Sequence, residues 1–134
     1  MLRLNKDASE AMQRAGAHGC TDVTGFGLLG HAREMALASK VTLEIDWRSV
    51  EFLPGALDYS EQGSIPGGLK SNRAFVECAV SVEAAVPEPV LHLLYDPQTS
   101  GGLLIALPEE SAPLVPGRRI GRVVARGAKP IVVN

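Results

Sequence analysis

The chain has 134 residues, long enough for one domain with a real core. Apolar residues make up 46% of it and aromatics only 4%, so that core must rest on Leu, Val, Ile, Ala and Met. The net charge is −2 with both signs dispersed, which gives no electrostatic case for nucleic acid or a membrane surface.

Residues 2 to 15 read as a helix, because Leu4, Ala8, Ala11, Met12 and Ala15 recur at helical spacing and Gly16 suits a stop. A short segment, Ala17 to Cys20, leads into TDVTGFGLLGH, Thr21 to His31. A second helix is predicted from Phe26 to Ser39, with Phe26, Leu29, Met35 and Ala36 on its buried side. Val41 to Trp47 reads as a strand, alternating Val41, Leu43 and Ile45 with Thr42, Glu44 and Asp46. Pro54 to Gln62 reads as a short helix with Pro54 near its first turn, and Ser64 to Lys70 as a Gly/Pro-rich loop. Phe75 to Val86 is ambiguous, with helix first and strand at Val80 to Val82. Glu88 to Leu94 is expected to be a short helix, and Gly102 to Leu107 a buried strand. Ile120 to Ala125 and Ile131 to Val133 read as strands joined by a turn through Arg126-Gly127-Ala128. Helices interspersed with four or more strands predict a sheet covered by helices in one α/β domain spanning residues 1–134.

No apolar run approaches transmembrane length, and the charged N-terminus MLRLNKDASE lacks a signal-peptide core, so the cytoplasm is expected. Cys20 and Cys78 have no CxxC spacing and read as free thiols, Cys20 as a small buried hydrophobe. His18, His31 and His92 fit no zinc spacing, and GxxxxGK[ST] is absent.

The stretch Thr21 to His31 is where chemistry concentrates. Asp22 lies between Thr21 and Thr24, with Gly25 and Gly27 following and a helix starting inside the motif. An Asp there can hold a hard cation such as Mg2+, and glycines let a phosphate approach unpaired backbone N–H groups. The same residues could serve structure alone, with Asp22 or Thr24 capping the helix. In DPQTSGGLLIALP, Asp96 to Pro108, the run Thr99-Ser100-Gly101-Gly102 could form an anion-binding nest or a tight turn into a strand; the turn is preferred.

TDVTGFGLLGH and DPQTSGGLLIALP both resemble signatures of selenophosphate synthetases (selenide, water dikinases), in the C-terminal half. The opening MLRLNKDASEAM and the ending IGRVVARGAKPIVV are similar to the same family, in the same order. Families of hydrogenase maturation and purine synthesis share the fold with looser versions of the first motif. The resemblance implies a mixed sheet in an α/β/α sandwich, like the AIR synthetase C-terminal domain. It implies an enzyme that makes selenophosphate from selenide, ATP and water, releasing AMP and phosphate. Asp22 then matches the acidic residue this half gives to the Mg2+–phosphate cluster, and Thr21, Thr24, Gly25 and Gly27 shape the loop around ATP. No catalytic residue is expected in this half. The family's N-terminal half, with its reactive Cys or selenocysteine, Lys and further Asp ligands, has no match here, so that half is the expected partner. The intact enzyme is expected to be a homodimer and this chain alone inactive. The alternative is a stand-alone domain that binds a nucleotide or a partner protein. Ser71, Asn72 and Arg73 resemble the end of a family loop, with no role evident. The chain departs from the family between Leu107 and Ile120, where PEESAPLVPGRR replaces a longer helix-bearing segment.

Overall fold

The computed structural model describes residues 4–83, 86–98 and 101–134. Two sheets organise the chain. β1 (Gly19–Asp22) pairs antiparallel with β4 (Leu103–Ala106) as a two-stranded ribbon. The second sheet has the order β3 (Val80–Val82), β6 (Ile131–Val133), β2 (Val41–Ile45), β5 (Gly121–Ala125). In it β3, β6 and β2 run parallel and β5 is antiparallel to β2. The mixed α/β class read from the sequence is the one observed.

The register of the larger sheet explains the core. Val80, Ile131 and Leu43 lie opposite one another across three strands, and Val82, Val133 and Ile45 form the next row. Period-two alternation sends Leu43, Ile45, Ile131 and Val133 to one face, where all four are buried. α2 (Gly27–Ser39) packs on that face against β2 and β6, and α4 (Gly67–Val76) and α5 (Glu88–Tyr95) pack against α2. Leu29, Val76, Leu94, Ile131 and Val133 are fully enclosed there, so branched aliphatic residues build the core with few aromatics. Glu44, between the buried positions of β2, bonds Arg122 of β5 instead. The β5–β6 turn is fastened by buried Thr42, whose Oγ1 donates to Lys129 O (2.7 Å) and accepts from Gly127 N–H (2.9 Å).

Several expectations need correction. Residues 2–3 lie outside the described residues; α1 spans Lys6–Arg14, with Leu4 outside it and exposed. Ala15 just beyond is buried, and α1 lies against the ribbon strand β4. The end of the Ala17–Cys20 segment and the first two residues of the central motif form strand β1, too short and too poor in β-branched residues to register as one in sequence. α2 starts one residue late, with Phe26 at its N-cap and half exposed and Met35 half-buried; Ala32 and Gly30 fill the buried stripe with Leu29 and Ala36. β2 stops at Ile45, and Trp47–Ser49 is a 3-10 turn capped by Asp46. α3 (Ala56–Glu61) begins after Pro54, with Gly55 at its N-cap in the left-handed region.

The Gly/Pro loop is in fact the start of α4. Its N-cap is Pro66, and Leu69, Asn72 and Val76 recur at helical spacing and are buried, which outweighs the poor propensity of Gly67-Gly68. β4 is half-buried along its length, because a two-stranded ribbon leaves its faces partly open. Between β4 and β5 the chain makes a 3-10 turn, Glu109–Leu114, containing Pro113, so the shortened segment forms no α-helix. The ambiguous stretch resolves as α4, a 3-10 turn and β3, while residues 84–85 lie outside the described residues.

Leu29 is fully buried between α4, α5 and the sheet. Leu29→Ala should lower the unfolding free energy by about 3 kcal/mol, read as a drop in the urea midpoint at unchanged slope.

Candidate functional site

Asp22 is the last residue of β1, directly opposite Leu103. Beyond it the two sequence motifs interlock. Val23 N–H donates to Gly102 O (3.0 Å), and Gly101 N–H donates back to Val23 O (3.1 Å). Thr24 O then accepts from both Gln98 N–H and Gly27 N–H, each at 3.0 Å. The carbonyl and amide groups of DPQTSGG are thus spent in part on TDVTGFG. Gly101 and Gly102 thus prolong the β1–β4 pairing, while Thr99 and Ser100, the other half of the nest-or-turn run, lie outside the described residues. Val23 is buried, so the loop hangs from a fixed anchor with Asp22 exposed on one side of it.

Gly27 and Gly101 are required by contact with backbone carbonyls at the loop. A Cβ on Gly27 would lie 2.7 Å from Tyr95 O and 2.8 Å from Asp96 O, and Gly27 has φ +70°, so no other residue fits without strain. A Cβ on Gly101 would collide with Val23 O. Gly25 is free of close neighbours on its Cα, and its carbonyl accepts from Asn72 Nδ2 (2.9 Å). Thr21 Oγ1 donates to Asp22 O (3.2 Å). Thr24 Oγ1 bonds His31 Nε2 (3.0 Å), which joins the loop to the second turn of α2.

The capping alternative fails on geometry. Phe26 is the N-cap residue of α2 and supplies no side-chain cap; the Thr24 hydroxyl goes to His31 instead, and Thr24 meets the first helix N–H, that of Gly27, only through its backbone carbonyl. Phe26 instead turns outward, 5.6 Å from the His31 ring and 6.3 Å from Phe75. Arg33 covers the Phe75 ring at 4.5 Å.

Among the described residues Asp22 has no second carboxylate, His or Cys pair grouped with it, and no group of three or more His, Cys, Asp or Glu side chains could hold a metal. Mg2+ binds through few carboxylates together with phosphate oxygens and water, so one exposed carboxylate fits as a partial ligand. Asp96, at the end of α5, is half-buried, and burial pushes its carboxyl pKa up. Of the histidines, His31 meets Thr24, His92 lies between Ser60 and Glu88, and His18 is exposed at the base of β1. Ser60, His92 and Glu88 are not a nucleophilic triad, since the buried Ser60 hydroxyl donates to Pro89 O (2.9 Å). Arg73 of α4 pairs with Glu88 of α5, and the guanidinium holds the Glu88 carboxyl below its usual range.

Sequence reasoning gave two contributors no task. His31 closes the Thr21–His31 motif and Asn72 lies on α4; both touch the loop, yet a single Asn or His on a helix has no periodic signature. The available signals were the resemblance of Ser71-Asn72-Arg73 to a family loop and the place of His31 in the first motif.

The chain matches the family model "AIR synthase related protein, C-terminal domain" over residues 1–133. A selenide, water dikinase of Clostridium botulinum is 44% identical over all of this chain and 41% of its own length. One from Caldanaerobacter subterraneus subsp. tengcongensis is 49% identical over 84% of this chain and 32% of its own length. The chain therefore spans about two-fifths or less of these relatives. Thiamine monophosphate kinase from Aquifex aeolicus has a similar fold, with TM-score 0.56 at 21% identity over 96% of this chain and 35% of its own.

Cys20 and Asp22 are both exposed, two residues apart on β1, and so share a face of the strand. Both cysteines are exposed free thiols, which corrects the buried reading of Cys20. Partial burial pushes the Cys20 thiol pKa up, and the Asp22 carboxylate pushes it further. Less thiolate is present at neutral pH than in an ordinary thiol, so Cys20 is a poor nucleophile. Asp22→Asn should therefore speed alkylation of Cys20 by iodoacetamide near neutral pH and move the rate profile to lower pH. Mass-spectrometric rates that do not change would contradict this geometry.

Proposed function

Because the chain belongs to the family of AIR synthase related proteins as their C-terminal domain, we propose that it is the C-terminal part of a selenide, water dikinase. The observation that carries this reading is the 44% identity to such an enzyme over the whole chain. The thiamine monophosphate kinase likeness, at 21% identity, speaks to the fold alone. The proposed reaction consumes ATP, selenide and water and yields selenophosphate, AMP and phosphate. The proposed partner is the N-terminal half of the same enzyme, which completes the site, and the intact enzyme is a homodimer of the cytoplasm. Among the described residues no helix is long and apolar enough to cross a membrane.

In this reading the Asp22 carboxylate is this chain's contribution to binding Mg2+. When bound, Mg2+ neutralises charge on the phosphates during phosphoryl transfer. Thr21, Thr24, Gly25 and Gly27 form the loop that holds Asp22 at the end of β1. Thr24 is tied down by His31 and by the amides of Gln98 and Gly27. A loop held at so many points keeps the carboxylate oriented before substrate arrives, which is how such sites keep binding from costing reorganisation.

The test is reassembly. This chain alone should give no selenide-dependent AMP. Combined with the separately expressed N-terminal part of the Clostridium botulinum relative, it should give Mg2+-dependent AMP formation. Asp22→Asn should lower that rate at least about tenfold. Activity of the chain alone, or unchanged Mg2+-dependent turnover in Asp22→Asn, would contradict the proposal.

A further inference from the structure

Asn72 is buried in α4, with only 8% of its surface exposed, and the reading above gives it no task. Its Nδ2 donates to Gly25 O (2.9 Å) and to Tyr95 O (3.0 Å). Two carbonyl acceptors fix which end of the carboxamide faces them. Gly25 lies in the Asp22 loop, and Tyr95 is the last residue of α5, whose carbonyl has no partner within its helix. Gly27 presses its Cα against that same Tyr95 carbonyl. One amide therefore joins three segments: α4, the loop and the C-terminal end of α5. The neighbouring Arg73 clamps α4 to Glu88 of α5, so the frame that presents Asn72 is itself held.

We propose that Asn72 is a positioning residue, which fixes the loop carrying Asp22 and thereby sets the affinity of that carboxylate for Mg2+. The inference rests on the reading of Asp22 as a metal ligand. No other side chain of this size offers two donors on one nitrogen. An aspartate in its place would face both carbonyls with acceptors only.

The experiment uses the reassembled two-part enzyme and reads the Mg2+ concentration at half-maximal rate, with ATP and selenide saturating. Asn72→Asp should raise it about tenfold, as loss of a residue that orients a metal ligand does. Asn72→Ser, which keeps one donor, should raise it less and carries the test if the aspartate variant does not fold. Ser60→Ala is the control for mere loss of a buried hydrogen bond, since Ser60 bonds Pro89 O away from the loop. It should lower the melting temperature and leave the Mg2+ dependence alone. If the Asn72 variants lose thermal stability but keep the wild-type Mg2+ dependence while Asp22→Asn shifts it, this inference fails and the metal reading stands. If Asp22→Asn leaves the Mg2+ dependence unmoved, the metal reading fails and the inference with it.

Discussion

Val23 and Gly101-Gly102 exchange two backbone hydrogen bonds across the end of the ribbon, and the site depends on that exchange. It brings together two stretches nearly eighty residues apart in the chain and leaves Asp22 exposed immediately before the join. A side chain at position 101 would fill the space taken by Val23 O, so the second motif needs glycine there for the first to dock. Thr24 O extends the exchange by accepting from Gln98 and Gly27. The loop's path is thus set by backbone groups, which are strong donors and acceptors that must be paired when buried.

That join determines what α4 and α5 are for. α5 ends at Tyr95, just before the second motif, and its free carbonyl becomes a seat for both Gly27 and Asn72. α4 supplies Asn72 from one turn and Val76 to the core from the next. Burial of the aliphatic face holds the helices, and the helices hold the loop. The arrangement offers a single carboxylate on an ordered support, which suits a half-site better than a complete one. The aromatic cluster of Phe26, Phe75 and Arg33 lies beside the same loop and leaves Phe26 and Phe75 half exposed.

Some features were legible because they depend on local pattern. β2 alternates apolar and polar residues, β6 is a short β-branched run, α2 has a long amphipathic run, and Glu88 onward follows a proline that suits a helix start. Others depended on distant partners. β1 is four residues of Gly, Cys, Thr and Asp, and only pairing with β4 makes it a strand. Gly67-Gly68 reads as loop until Leu69 and Val76 find the core. Phe26, apolar and next to a helix, was read as buried, yet the docking of Gly27 against α5 turns it outward. The same limit applied at the site: Asp22, its glycines and His31 stand in one contiguous string, whereas Asn72, 47 residues from Gly25, reaches the loop only through the fold.

The sequence by itself determined the α/β class, the family and the prominence of Asp22, because periodicity and contiguous motifs are written in neighbouring residues. Only the tertiary structure decided that the two motifs form one loop system, that neither Asp22 nor Thr24 caps α2, and that Asn72 braces the loop. Those outcomes turn on hydrogen bonds between residues 47 and 23 positions apart at Asn72 and on a glycine's clearance from a remote carbonyl. Such contacts leave no periodic trace, since each is made by a single polar group whose partner is chosen by packing.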